Sequence, residues 1–110
     1  MPKNYKVKIT RQAITQIEEI IHYISYELLA SEAAISLLEN METIIDSLSS
    51  MPDRIAVIEE EPWHSEGVRK ISVKNFLIYF WIDEENKKVQ ITAVIYKKRD
   101  QMKQLWNMDV

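Results

Sequence analysis

Residues able to handle an anionic substrate collect in the second half of the chain. Arg69 and Lys70 follow Gly67, and Tyr96 is followed directly by Lys97, Lys98 and Arg99. A guanidinium can hold two oxygens of one phosphate and stabilise charge that builds on it. A lysine supplies charge readily, but its ordinary pKa of about 10.4 makes it a sluggish proton donor unless it is desolvated or crowded by other cations. Tyr96 can donate a hydrogen bond or stack on a base, or it can simply cap the edge of a sheet. His64, set among Glu59, Glu60, Glu61 and Glu66, has the pKa range for proton transfer, although a lone histidine in a polar loop is more often a solvated surface residue. Arg69 can equally serve a structural ion pair with a nearby glutamate.

Other chemistries are excluded by what the chain lacks. It has no cysteine, and its two histidines, His22 and His64, are far apart, with no paired carboxylates at helical metal-binding spacing, so no zinc or thiolate site is expected. A single glycine cannot build a phosphate-cradling loop of the dinucleotide or P-loop kind, and no cofactor is expected. The net charge of −3 argues against a uniformly basic nucleic-acid binder, since phosphate affinity comes from clustered Lys and Arg. The charges are segregated, however. Acids gather at Glu59-Glu60-Glu61 and Asp83-Glu84-Glu85, apart from the cationic Lys97-Lys98-Arg99.

These side chains must be positioned by one domain, because 110 residues with 46% hydrophobic content make a single modest core over residues 1–110. Tyr5 to Thr10 alternates apolar and basic residues, predicting a strand with Tyr5, Val7 and Ile9 toward the core. Thr10 suits a helix N-cap, and Ile14, Ile17, Ile20, Ile21, Ile24 and Leu28 then recur as one apolar stripe. After a break near Leu29 to Ser31, with Ser31 and Glu32 suited to a helix start, a second stripe runs through Ala34, Leu37, Leu38, Met41, Ile44, Ile45 and Leu48 until Pro52 stops it. So short a connection makes the two helices an antiparallel hairpin.

From Asp53 to Glu66 the pattern predicts a loop with a possible edge strand at Ile55 to Ile58. Seven consecutive apolar residues, Phe76 to Ile82, predict a strand covered on both faces. Glu84 to Lys87 supplies a reversal, with Asn86 suited to a left-handed conformation, and Val89 to Tyr96 forms the returning strand. Alternation gives Arg69 the parity of Ile71 and Val73 and places Lys70 on the open face, unless a bulge near Gly67 exchanges them. Trp63 and Trp81 pack, His22 faces away from the first stripe, and Arg99 to Trp106 forms one or two helical turns. No long apolar segment or leader pattern is present, which predicts a soluble, cytoplasmic protein with no membrane partner.

The order Gly67-Val68-Arg69-Lys70-Ile71-Ser72-Val73, then Phe76 to Asp83, then Val89 to Asp100, resembles the RelE/ParE superfamily of small bacterial toxins over nearly the whole chain. The resemblance implies an α+β fold, a helical hairpin on a small, twisted, mostly antiparallel sheet, and the toxin role in a type II toxin–antitoxin pair with a cognate antitoxin as partner and as the route to any oligomer. In ribosome-dependent, metal-independent mRNA cleavage, Arg69 matches the arginine on the scissile phosphate. Tyr96 and Lys97 fall where relatives protonate the leaving oxygen, and Lys97 replaces their histidine or arginine. Lys70, Lys98 and Arg99 are then substrate-binding residues and His64 the candidate base. The second reading is a ParE-like protein that inhibits DNA gyrase by binding, favoured by the acidic charge and the lack of a basic helix-to-strand region. A third is a member that only binds its antitoxin.

Overall fold

Thr10 joins the first strand to the first helix in the way its sequence position predicts. Its hydroxyl oxygen accepts the N–H of Ala13 at 3.2 Å, and its own N–H donates to the carbonyl of Ile91 at 2.9 Å. The computed structural model describes residues 4–98. They form β1 (Lys6–Ile9), α1 (Arg11–His22), α2 (Ser31–Ser47), β2 (Arg69–Val73), β3 (Phe76–Asp83) and β4 (Lys88–Tyr96), with a π-helical turn at Tyr23–Glu27 and a 3-10 turn at Pro52–Arg54. The four strands make one sheet in the order β1-β4-β3-β2, and only the β1–β4 pair is parallel.

The helices cover one face of this sheet. Ala13, Leu37, Met41 and Leu48 meet Val73, Ile78, Phe80, Val89, Ile91 and Val94 in a buried cluster, with Ile17, Ile20, Ile21, Ile24, Ile44 and Ile45 half-buried around it. Tyr5, Val7 and Ile9 pack on the same cluster, as alternation predicts. The ends of the predicted α1 stripe do not. Ile14 is 44% exposed and Leu28 55%. The small Ala13, one residue earlier, takes the closest position, and the wider π turn rotates Leu28 off the face.

Two helix boundaries also differ from expectation. Ala30 occupies the N-cap of α2 without a side-chain bond, so Ser31 is the first helical residue and Glu32 lies in the first turn. At the other end α2 stops at Ser47, before Pro52. There Arg54 reaches back, its Nη1 donating to the carbonyls of Ser50 at 2.7 Å and Met51 at 3.1 Å in the turn after the helix and, at 3.4 Å, to that of Ser47, an acceptor the helix leaves open. In the β3–β4 turn the left-handed residue is Lys87, with φ +52°, not Asn86. Asn86 instead donates from its backbone and side chain to the Asp83 carboxylate, at 3.2 and 2.9 Å.

Strand β4 carries a bulge. Tyr79 pairs with Ala93 and Phe80 with Ile91, leaving Thr92 as the extra residue. β1 ends its pairing at Ile9 opposite Ile91, so beyond that point β4 needs other partners along its outer edge. Helix α1 supplies them. Gln12 Nε2 donates to the Thr92 carbonyl at 3.1 Å, and Gln16 Oε1 accepts the N–H of Val94 at 2.8 Å. Backbone groups that would otherwise template a foreign strand are thus occupied.

Segment 55–68 covers the other face. Val57 forms an isolated antiparallel bridge with Arg69, and Ile58 and Trp63 bury against Val68, Leu77, Tyr79, Ala93 and Ile95. The central strands are consequently apolar on both sides, which accounts for the unbroken run in β3. Among the described residues no helix is long and apolar enough to cross a membrane.

Candidate functional site

Gly67 turns the chain from the loop into β2 with φ +74°, a conformation that costs glycine nothing. From there β2 pairs with β3 in regular register, so simple alternation decides where Arg69 and Lys70 point. Arg69 shares its side with Ile71 and Val73, toward the helices. Its Nη1 donates to the carbonyl of Ile55 and, at 3.3 Å, to that of Asp53, while its buried Nε has no hydrogen-bond partner among the described residues. The guanidinium therefore ties the 53–55 turn to the edge of the sheet. Lys70 is exposed on the other side, opposite Tyr79.

Tyr96 lies at the far end of the sheet. Its ring tilts against Phe76 on the neighbouring strand, with centroids 5.4 Å apart. Arg69 pairs with Phe80 and Tyr96 with Phe76, four positions apart along β3, which corresponds to about 14 Å at the usual rise per strand residue. They also flank β3 from opposite sides. Arg69 and Tyr96 are not brought together, nor is Arg69 placed beside Lys97 and Lys98.

What does assemble is a basic end of the sheet. The N–H of Lys97 donates to the Asn75 carbonyl at 2.9 Å, which sets the exposed Lys97 and Lys98 beside the β2–β3 turn and its exposed Lys74, a residue with φ +53°. Lys74 was not among the residues singled out from the sequence. The signal for it was the Lys74-Asn75 pair, a polar turn between two apolar strands. The opposite end of the sheet is of mixed charge, with Asp83, Glu84 and Glu85 set among Lys6, Lys87 and Lys88. Arg99 lies outside the described residues, as does the helical stretch expected from Arg99 to Trp106.

His64 sits in the loop over the second face. Its Nδ1 lies 2.8 Å from the carbonyl of Ile58, and because a carbonyl only accepts, Nδ1 carries a proton and Nε2 is the nitrogen left to accept one. Nearby, Ser65 donates from its hydroxyl and its backbone to Glu61, at 2.7 and 3.0 Å, and these bonds hold the Glu61 carboxyl below the usual glutamate range. Beneath the loop the Tyr79 side chain is fully buried. Burial, reinforced by Glu60, pushes its phenol up to about 12. The folded chain then holds a proton that the unfolded chain gives up near pH 10, so stability should be full below about pH 10 and fall as the pH rises toward 12. Urea midpoints measured from pH 9 to 12 test this; a flat profile would contradict the burial of Tyr79.

In chemical terms the site offers cations for phosphate or carboxylate at one end of the sheet, and an arginine at the other end engaged by backbone carbonyls. Similarity to known proteins agrees with the architecture. Solved structures share the fold, among them the following three. A chromosomal ParDE system from P. aeruginosa gives a TM-score of 0.66 at 21% identity over 86% of this chain and 98% of the other. The RelBE2 toxin–antitoxin complex from Mycobacterium tuberculosis gives 0.58 at 19% over 84% and 98%. An archaeal RelE–RelB complex from Pyrococcus horikoshii gives 0.59 at 15% over 87% and 98%. A search of curated proteins gives no match. The family model for the ParE toxin of the parDE type II toxin–antitoxin system matches residues 7–101. With the match spanning both helices and all four strands, the chain belongs to the ParE toxin family, within the RelE/ParE superfamily of type II toxin–antitoxin toxins.

Proposed function

We propose that this toxin arrests growth by binding, as a ParE-like inhibitor of DNA gyrase, and that an antitoxin encoded beside it neutralises it. The observation that carries this reading is the use of Arg69. An arginine that stabilised a cleaving phosphate would present its fork to the substrate beside an acid and a base. Here Nη1 is given to the carbonyls of Asp53 and Ile55, about four strand positions from Tyr96. The match to the ParE family supports the same assignment, and the toxin–antitoxin complexes among the solved relatives support the antitoxin partner.

The test is to induce the chain in bacteria with and without the neighbouring small gene, and to measure gyrase–DNA adducts together with the ends of ribosome-bound mRNA. Growth arrest with adducts, uncut mRNA and rescue by the neighbour is expected. Arg69→Ala should cost about 1.5–3 kcal/mol through lost charge-assisted bonds, and its toxicity should follow the folded fraction. Messenger RNA cut by the wild-type chain and left intact by folded Arg69→Ala, with gyrase unaffected throughout, would overturn the proposal in favour of cleavage.

A further inference from the structure

Trp81 is a large aromatic residue that neither layer of the fold covers. It is half-buried and belongs to neither buried cluster, although the residues just before it, Tyr79 and Phe80, belong to one each. By alternation it shares the face of Leu77 and Tyr79, on which segment 55–68 packs together with Ala93 and Ile95. The cover ends short of Trp81. An indole kept partly in solvent on a sheet has ring surface to offer a ligand.

The bulge in β4 decides what surrounds it. On the Tyr96 side of Thr92 this face receives the apolar Ala93 and Ile95. On the Lys88 side the extra residue reverses the alternation, so Val89 and Ile91 turn to the helices and Lys88 and Gln90 to the open face. Trp81 is paired with Gln90, and Gln90 with Lys8; one step along, Asp83 is paired with Lys88, and Lys88 with Lys6. At the usual strand spacing Lys8 lies about 10 Å from Trp81, with Lys6 about 7 Å further along β1. Lys6 and Lys8 are exposed, and neither ammonium takes part in a salt bridge among the described residues. Asp83, the acid in these rows, accepts from Asn86. Glu59 and Glu60 gather beside Lys70 on β2, at the other edge of the sheet, so they leave the β1 side to the cations.

We propose that this corner of the open face is a platform for an unpaired strand of nucleic acid, with a base stacked on Trp81 and the adjoining phosphates held by Lys6, Lys8 and Lys88. Sheets that carry an aromatic ring among cations hold unpaired bases in this way, because every base has a stacking face and every link a charge. A duplex hides those faces and meets only the lysines. The net charge of −3 confines the attraction to this corner and sets the strand along β1 and β4. The platform lies on the opposite side of the sheet from the Arg69 guanidinium and away from Lys74, Lys97 and Lys98, and it stands whether gyrase or mRNA is the toxin's target.

The probe is a short fluorescent oligothymidylate, titrated into the full chain over a series of salt concentrations, beside an abasic strand of the same length and the oligothymidylate paired with its complement. The single strand should bind, and the abasic strand and the duplex should bind about tenfold more weakly or worse, the usual worth of one base stacked on a ring. Trp81→Leu keeps apolar bulk without the ring. It should weaken binding about tenfold and leave the salt dependence as it was. The double change Lys6→Gln with Lys8→Gln, at two exposed positions, should weaken binding and reduce the salt slope by about 0.7 for each lysine removed. If Trp81→Leu melts early, the lysine variant and the abasic strand decide. No binding of the single strand, unchanged affinity in folded Trp81→Leu, or an unchanged salt slope in the lysine variant overturns the proposal. So does equal binding of the abasic strand, which would assign the patch to acidic partners in general.

Discussion

Phe80→Ala is expected to lower the stability of the chain by about 3–5 kcal/mol, the range for emptying a packed aromatic site. Phe80 has no exposed surface, sits in the middle of β3 and belongs to the cluster that Met41 and Leu48 bring down from α2. The pairing around it is fixed by β2 on one side and by the bulged β4 on the other, so the site can collapse only a little. Small domains hold about 5–15 kcal/mol in all, and the loss is therefore a large fraction of the total. Urea unfolding, with the slope checked against wild type, measures it. A change below about 1 kcal/mol would mean that the helices do not press on β3 as described.

Trp63→Ala tests the other face of the sheet. Trp63 is buried on Val68, Leu77, Tyr79, Ala93 and Ile95, and its carbonyl accepts the N–H of Val68 at 3.0 Å, so it anchors segment 55–68 to the strands. Truncation should again cost about 3–5 kcal/mol. It should also leave a distinct signature. Water admitted beneath the loop lets the Tyr79 phenolate be solvated, so its titration should move down from about 12 toward the ordinary tyrosine value. Ultraviolet titration of the phenol detects the movement. An unchanged Tyr79 titration in a destabilised variant would show that the cover over this face does not depend on Trp63.

The parts of this architecture that were legible in the sequence are those set by near neighbours along the chain. The alternation through Val7 and Ile9, the cap at Thr10, the stripe of α2 and the apolar run from Phe76 to Ile82 each express a local period, and each stands where the pattern puts it. The exceptions depend on distant partners. Nothing near Ile14 announces that Gln12 and Gln16 will face β4 and rotate Ile14 outward. Nothing near Ile58 or Trp63 announces a lid, because segment 55–68 has no period and joins the sheet through one bridge. Among the candidate site residues, parity left the sides of Arg69 and Lys70 open to exchange by a bulge near Gly67, and the regular register of β2 with β3 sets Lys70 on the open face and Arg69 with Ile71. The carbonyls that receive Arg69 come from a turn some fifteen residues earlier, at Asp53 and Ile55, and Lys74 joins Lys97 only through the Asn75 carbonyl. Contacts of that length are set by the folded chain and leave no periodic trace.

The parallel pairing of β1 with β4 bears on how the toxin is born. The first strand has no other strand to join, since β2 and β3 lie on the far side of β4. Contacts so distant in sequence are slow to close and come late in folding. On the ribosome the helical hairpin can emerge and collapse early, yet β1 must wait until Lys88 to Ile91 have been translated before it has an edge to pair with. Thr10, Gln12 and Gln16 wait with it, because their partners are Ile91, Thr92 and Val94. A truncated nascent chain thus lacks the seam that unites its two ends, and the complete toxin surface comes into being only once nearly all of it has been made.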